Sequence, residues 1–151
     1  MGLLSLVPPF FPHRALTLLP PTLLVPPEPN TIVDLTMPDG AVVRLRRHGN
    51  PAGPRIALSH GNGLAMQAYY PFWRLLLDGY DVVLFDVRNH GLNPLQGPEN
   101  HRWDVFRDDF EHIYQGIQEH FGAAPTAGAF HSLSSIAALD QVLTHGARWD
   151  R

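Results

Sequence analysis

Gly128-Ala129-Phe130-His131-Ser132-Leu133-Ser134-Ser135 carries a short apolar strand through His-Ser-Leu directly into a helix-forming run. A serine at such a junction sits on a strained strand-to-helix turn. Its hydroxyl is thrust above the sheet, and its neighbours are small so that strand and helix can approach closely. Ser132 is therefore the candidate nucleophile. Only Asp140, His145 and Asp150 follow it as possible acid or base.

Upstream of this turn, strands and helices alternate. Thr31–Thr36 and Ala41–Arg46 flank Met37-Pro38-Asp39-Gly40, whose Asp-Gly predicts a tight turn and an antiparallel hairpin. Arg55–Ser59 reads as a short buried strand ending in His60-Gly61-Asn62-Gly63, followed by a helix through Tyr70–Leu77 that stops near Gly79. Asp81–Asp86 is the next strand. Apolar residues at Trp103, Phe106, Phe110, Ile113, Ile117 and Phe121 mark one face of a long amphipathic helix. Thr126–Phe130 is a further strand, and Leu133–His145 a helix ended by Gly146. The alternation predicts an α/β fold: a mostly parallel sheet behind the N-terminal hairpin, helices on both faces, and ligands at the carboxyl ends of the strands.

Composition narrows the function classes. The 151 residues are 44% hydrophobic and 17% charged, with a net charge of −3, as expected of one globular domain. Acidic and basic residues are interspersed, so no basic face is formed to track a phosphate backbone, and nucleic acid is not an expected partner. Zero cysteines excludes disulfides and thiolate metal sites. The nine histidines show no H-E-x-x-H spacing, so neither a metal nor another cofactor is expected. Residues 1–30 form a separate Pro- and Leu-rich arm. Pro8, Pro9 and Pro12 interrupt its apolar run, which fits neither a secretory signal nor a membrane span. The arm reads as a segment draped over the domain of residues 31–151, with a substrate-site or membrane-surface flap as the sharper alternative, and the expected location is cytoplasmic.

Three motifs in order now carry a family resemblance. His60-Gly61-Asn62-Gly63 after a strand, Asp86-Val87-Arg88-Asn89-His90-Gly91 after the next, and Phe130-His131-Ser132-Leu133-Ser134 resemble the oxyanion loop, the D-x-R-x-x-G turn and the G-x-S-x-G elbow of α/β-hydrolases of the serine type. The resemblance implies acyl chemistry on a small or lipophilic ester. Ser132 would attack, the backbone amides of Leu133 and Asn62 would hold the oxyanion, and Gly61, Gly63 and His131 would border the substrate. An aspartate at position 132 would instead have implied a dehalogenase or epoxide hydrolase.

The elbow departs from its pattern at Phe130 and Ser134, where glycines are expected, and this leaves open a helix-capping role for Ser132. In the family pattern the acid and base follow the serine at the ends of later strands. Asp140 and His145 fall on the helix leaving the elbow, and at 1.5 Å per residue His145 would lie roughly 20 Å from Ser132. The sequence therefore reads as the N-terminal portion of a serine hydrolase, inactive alone, with Ala147–Arg151 approaching a further strand. The alternative is a non-catalytic binding protein on a partial scaffold.

Overall fold

The computed structural model describes residues 25–96 and 101–150. The reading of residues 1–24 as an arm lies outside the described residues. Five strands, β1 (Thr31–Thr36), β2 (Val42–Gly49), β3 (Arg55–Ser59), β4 (Asp81–Phe85) and β5 (Thr126–Phe130), form one sheet in the order β1-β2-β4-β3-β5. The hairpin is as expected: β1 and β2 pair antiparallel, and Gly40, at φ +85°, closes the turn by donating its amide to the Met37 carbonyl at 2.9 Å. β2 is antiparallel to β4, whereas β4, β3 and β5 are mutually parallel. Phe130 stands opposite Ser59, and the His131 amide extends the ladder to the Ser59 carbonyl at 3.2 Å.

Because side chains alternate along a strand, β4 supplies both cores. Val83 and Phe85 join Val43, Leu45 and Ala57 beneath Phe106, Phe110, Ile113 and Ile117 of α2 (Trp103–Phe121) and Ala137 and Ala138 of α3 (Leu133–His145). Val82 and Leu84 face the other way, against Leu58, Met66 and Trp73. Helical segments thus cover both faces, as the alternation predicted.

Two details differ from the sequence reading. The single helix expected over Tyr70–Leu77 is a composite: a 3-10 turn at Met66–Tyr69, one α-turn, α1 (Tyr70–Trp73), and a second 3-10 turn at Arg74–Leu76. Pro71, lacking an amide, is tolerated only in a first turn. The Trp73 indole N–H donates back to the Met66 carbonyl at 2.9 Å and holds the tightened segment on the sheet. The apolar stripe of α2 begins at Phe106, since Trp103 is 40% exposed and donates to Asp140 at 3.2 Å.

On the outer edge of β5, Asp150 forms a parallel bridge with Ala127, donating its amide to the Thr126 carbonyl at 2.8 Å and accepting the Thr126 amide on its carboxylate at 2.7 Å. α3 leaves Ile136, Leu139 and Leu143 exposed, a stripe at spacings of three and four residues. Among the described residues no helix is long and apolar enough to cross a membrane.

Candidate active site

The loop after β3 and the turn after β5 meet at the carboxyl end of the sheet. Gly61 presses so closely on the turn after β5 that a Cβ there would lie 2.8 Å from His131 Nδ1 and 3.3 Å from Ser132 Cβ. Gly61 O accepts the Leu64 amide at 3.2 Å, closing a turn through Asn62 and Gly63, and Gly63, at φ +71°, takes the position that favours glycine. The sequence-derived residues Gly61 and Ser132 are therefore brought together, with Asn62 exposed on the same loop.

Ser132 has φ +52° and ψ −111°, a conformation few non-glycine residues adopt. It stands at the N-cap position of α3 but makes no side-chain capping bond, and an ordinary capping serine has extended backbone. The capping alternative thus loses its geometry, while an exposed hydroxyl on a strained turn remains. Leu133 is the first residue of α3, where an amide has no intrahelical acceptor and is available to an anion.

Both departures from the elbow pattern have structural accounts. Phe130 turns its ring into the core, against Phe85, Phe110 and Trp149, and folds over Gly128, where a Cβ would lie 2.5 Å from the ring. Gly128 thereby leaves room for the ring. Ser134 is fully buried and donates its hydroxyl to the His60 carbonyl at 2.5 Å, with Ser59 Oγ 3.1 Å away, so it ties α3 to the end of β3.

The remaining motif residues brace these loops. His60, fully buried, accepts the Val87 amide on Nε2 at 3.0 Å and directs Nδ1 at the Gly61 carbonyl at 2.8 Å. This pattern places the proton on Nδ1, and burial holds the ring below its ordinary pKa. Asp86 accepts the Met66 amide at 2.7 Å and Arg46 at 2.8 Å. Gly91, at φ +56°, passes so close to this carboxylate that a Cβ would fall 2.3 Å from it. Arg88 joins Asp39 of the hairpin turn to Asp109 of α2, both at 2.6 Å. Burial works against its charge, but these two carboxylates outweigh it and raise the pKa.

Sequence reasoning missed Tyr69. Its hydroxyl accepts the Gly61 amide at 3.2 Å and lies 2.7 Å from His131 Nδ1, linking the two loops of the site. A cleft of about 430 Å³ bounded by Tyr69, Phe72, Ala129 and His131 opens beside the turn after β5. The three candidates after the serine turn elsewhere: Asp140 accepts from Trp103, His145 lies 3.2 Å from Asp108 on α2, and Asp150 accepts the Thr126 amide. Among the described residues no group of His, Asp and Glu could hold a metal ion.

No protein-family model and no curated protein sequence matches the chain. Among solved structures it is similar to a hydrolase from Pseudomonas aeruginosa PA01, with a TM-score of 0.67 and 21% identity over 81% of this chain and 44% of that one. It is similar also to a bromoperoxidase from Bacillus anthracis, with a TM-score of 0.66 and 20% identity over 80% of this chain and 42% of that one. An alpha/beta hydrolase fold protein from Burkholderia ambifaria gives a TM-score of 0.62 and 14% identity over 78% and 40%. At these identities the likeness speaks to architecture alone. The chain has the α/β-hydrolase fold, and it spans less than half the length of the structures it matches.

Proposed function

We propose that Ser132 is the nucleophile of a serine hydrolase acting on a small or lipophilic ester, with the Leu133 amide and the Asn62 loop receiving the oxyanion. The observation that carries this reading is the backbone of Ser132. A non-glycine residue at φ +52° and ψ −111°, with no capping bond, stands at the carboxyl end of a parallel strand and against a glycine loop. Strain of this kind persists only where the surrounding structure imposes it, and it is concentrated at functional sites.

The chemistry fits the parts. A serine hydroxyl attacks a carbonyl carbon as a base removes its proton, and the oxygen that becomes negative needs preorganised N–H donors. The apolar cleft beside His131 suits the hydrocarbon part of an ester. Fold alone does not select the reaction, since the matched structures include a bromoperoxidase as well as a hydrolase; the serine itself favours acyl transfer.

A second reading, a non-catalytic binding protein, draws on the orientation of Asp140 and His145 toward α2. Fluorophosphonate labelling of the complete protein separates the two. Labelling abolished by Ser132→Ala and retained in Ser134→Ala and Ser135→Ala supports the hydrolase. A folded protein that never labels supports the binding protein, and labelling that survives Ser132→Ala refutes the nucleophile assignment.

A further inference from the structure

Among the described residues that line the cleft beside the turn after β5, Ser59, Tyr69 and His131 carry a side-chain nitrogen or oxygen. Two of the three are committed. Ser59 is buried and donates its hydroxyl to the Phe85 carbonyl at 3.0 Å. Tyr69 ends the 3-10 turn Met66–Tyr69 with its ring packed against the core of Leu58, Met66 and Trp73, and its hydroxyl is held between the Gly61 amide and His131 Nδ1. His131 is exposed, and its Nε2 has no hydrogen-bond partner among the described residues. The cleft thus offers a substrate an apolar wall and one uncommitted ring nitrogen.

Tyr69 decides whether that nitrogen donates or accepts. A phenol oxygen has one proton to give. The Tyr69 oxygen already accepts the Gly61 amide at 3.2 Å, so its proton goes to His131 Nδ1, and the 2.7 Å separation is the common one for an O–H donor and at the short limit for an N–H donor. The reverse arrangement, with Nδ1–H donating, would make the oxygen accept twice and leave its own proton without an acceptor among the described residues. Bonds that run in one direction, from Gly61 N–H to Tyr69 O–H to His131 Nδ1, also polarise one another. A neutral imidazole that accepts on Nδ1 carries its proton on Nε2. His60, which accepts on Nε2, has the opposite tautomer.

We infer that Tyr69 is a positioning residue that fixes His131 with Nε2–H as the donor of the cleft, and that the site therefore selects esters carrying a second oxygen acceptor near the scissile carbonyl. The inference rests on the proposed role of Ser132, whose neighbour in the chain His131 is. An acyl chain of hydrocarbon alone leaves Nε2–H to water, whereas an ether, hydroxyl or oxo oxygen on that chain accepts from it. One neutral hydrogen bond of this kind corresponds to about 3- to 10-fold in kcat/KM.

The test uses the complete protein with p-nitrophenyl methoxyacetate and p-nitrophenyl butyrate, whose acyl chains have equal length and differ by one ether oxygen in place of a methylene. The ratio of their kcat/KM values in a variant, divided by the wild-type ratio, cancels the intrinsic reactivity of the two esters. His131→Leu is expected to lower this ratio about 3- to 10-fold and Tyr69→Phe to lower it part of the way. His131→Gln, whose amide donates from nearly the same place as Nε2–H, is expected to keep it within about 2-fold. Ring-nitrogen NMR spectra at about pH 8.5, above the ordinary imidazole range, should show His131 protonated on Nε2 and His60 on Nδ1, with the His131 preference weakened in Tyr69→Phe and that of His60 unchanged. A ratio unchanged in His131→Leu or lost equally in His131→Gln, an Nδ1–H tautomer of His131, or a ratio or tautomer that survives Tyr69→Phe overturns the inference and leaves the nucleophile in place. Fluorophosphonate labelling without cleavage of the methoxyacetate does the same. A wild type that never takes the label overturns the proposed function, and the inference with it.

Discussion

Asn89 and Ser132 are the two non-glycine residues with positive φ among the described residues, and both follow a strand at the carboxyl end of the sheet. Their surroundings differ. Asn89, at φ +62°, has a residue type that tolerates this region, and its side-chain oxygen accepts the Gln96 amide at 2.5 Å. Its turn is closed by Asp86 with Arg46, by Arg88 with two carboxylates, and by Gly91. Ser132 makes no such local bond. Its turn is held by the Ser135 hydroxyl on the Phe130 carbonyl, the Ser134 hydroxyl on the His60 carbonyl, the β3–β5 ladder and the Phe130 ring in the core. Distant elements brace both turns, and the difference lies in the residue itself: Asn89 commits its side-chain oxygen to the Gln96 amide, whereas the Ser132 hydroxyl makes no capping bond and stays exposed.

The most severe way to break this contrast is to remove that hydroxyl. Ser132→Ala in the complete protein is expected to lower fluorophosphonate labelling or ester turnover by about 10⁴-fold or more, a loss typical of a nucleophile. Ser134→Ala should retain labelling while losing about 1–2 kcal/mol of stability with its buried hydrogen bond, read by urea denaturation.

On the other side of the contrast, Gly91→Ala is expected to lower stability by about 3 kcal/mol or more, because the new Cβ collides with the Asp86 carboxylate at a positive φ. A change below about 1 kcal/mol in the denaturation midpoint would show that the Asp86 turn is far softer than its geometry implies.

His48 makes the sheet face beneath this turn sensitive to pH. Its pKa is depressed from 6.5 to about 4 in the folded chain, so the unfolded chain takes up a proton first as pH falls. Stability present above pH 6.5 is therefore lost between 6.5 and 4, by about 3 kcal/mol at most. Denaturation of wild type and His48→Phe across this window should show a shallower slope in the variant; parallel slopes would remove His48 as the cause.

The smallest effect is the sharpest comparison. Ser132→Gly relieves backbone strain and should stabilise the fold by about 1 kcal/mol, while Asn89→Gly, which also loses its bond to Gln96, should give no gain. Destabilisation by Ser132→Gly would mean that the turn is not strained.

Much of the architecture was legible because it follows from local pattern. Both β5 and α3 were placed to the residue, since an apolar run, a Gly-terminated helix and an Asp-Gly turn are short-range signals. The composite helix over Met66–Leu76 was not, because the choice between 3-10 and α geometry depended on how Trp73 seats against the sheet. The site divides the same way. Gly61, Asn62, Gly63, Ser132 and Leu133 are picked out as candidates by motif spacing, whereas Tyr69 and Tyr70 look equivalent in sequence. Only the fold brings the Tyr69 hydroxyl between Gly61 and His131.

The sequence by itself thus determined the order of strands and helices along the chain and singled out the candidate serine and the glycines near it, because each reading depends on residues a few positions apart. The tertiary structure decided what the departures from pattern meant. Whether Phe130 and Ser134 spoil the elbow depends on Gly128, Phe85, Phe110 and the carbonyl of His60, and these meet only when β3, β4, β5 and α2 pack together. It also decided that Tyr69 and His131 line one cleft, since contacts between distant positions are set by sheet register and layer packing rather than by spacing along the chain.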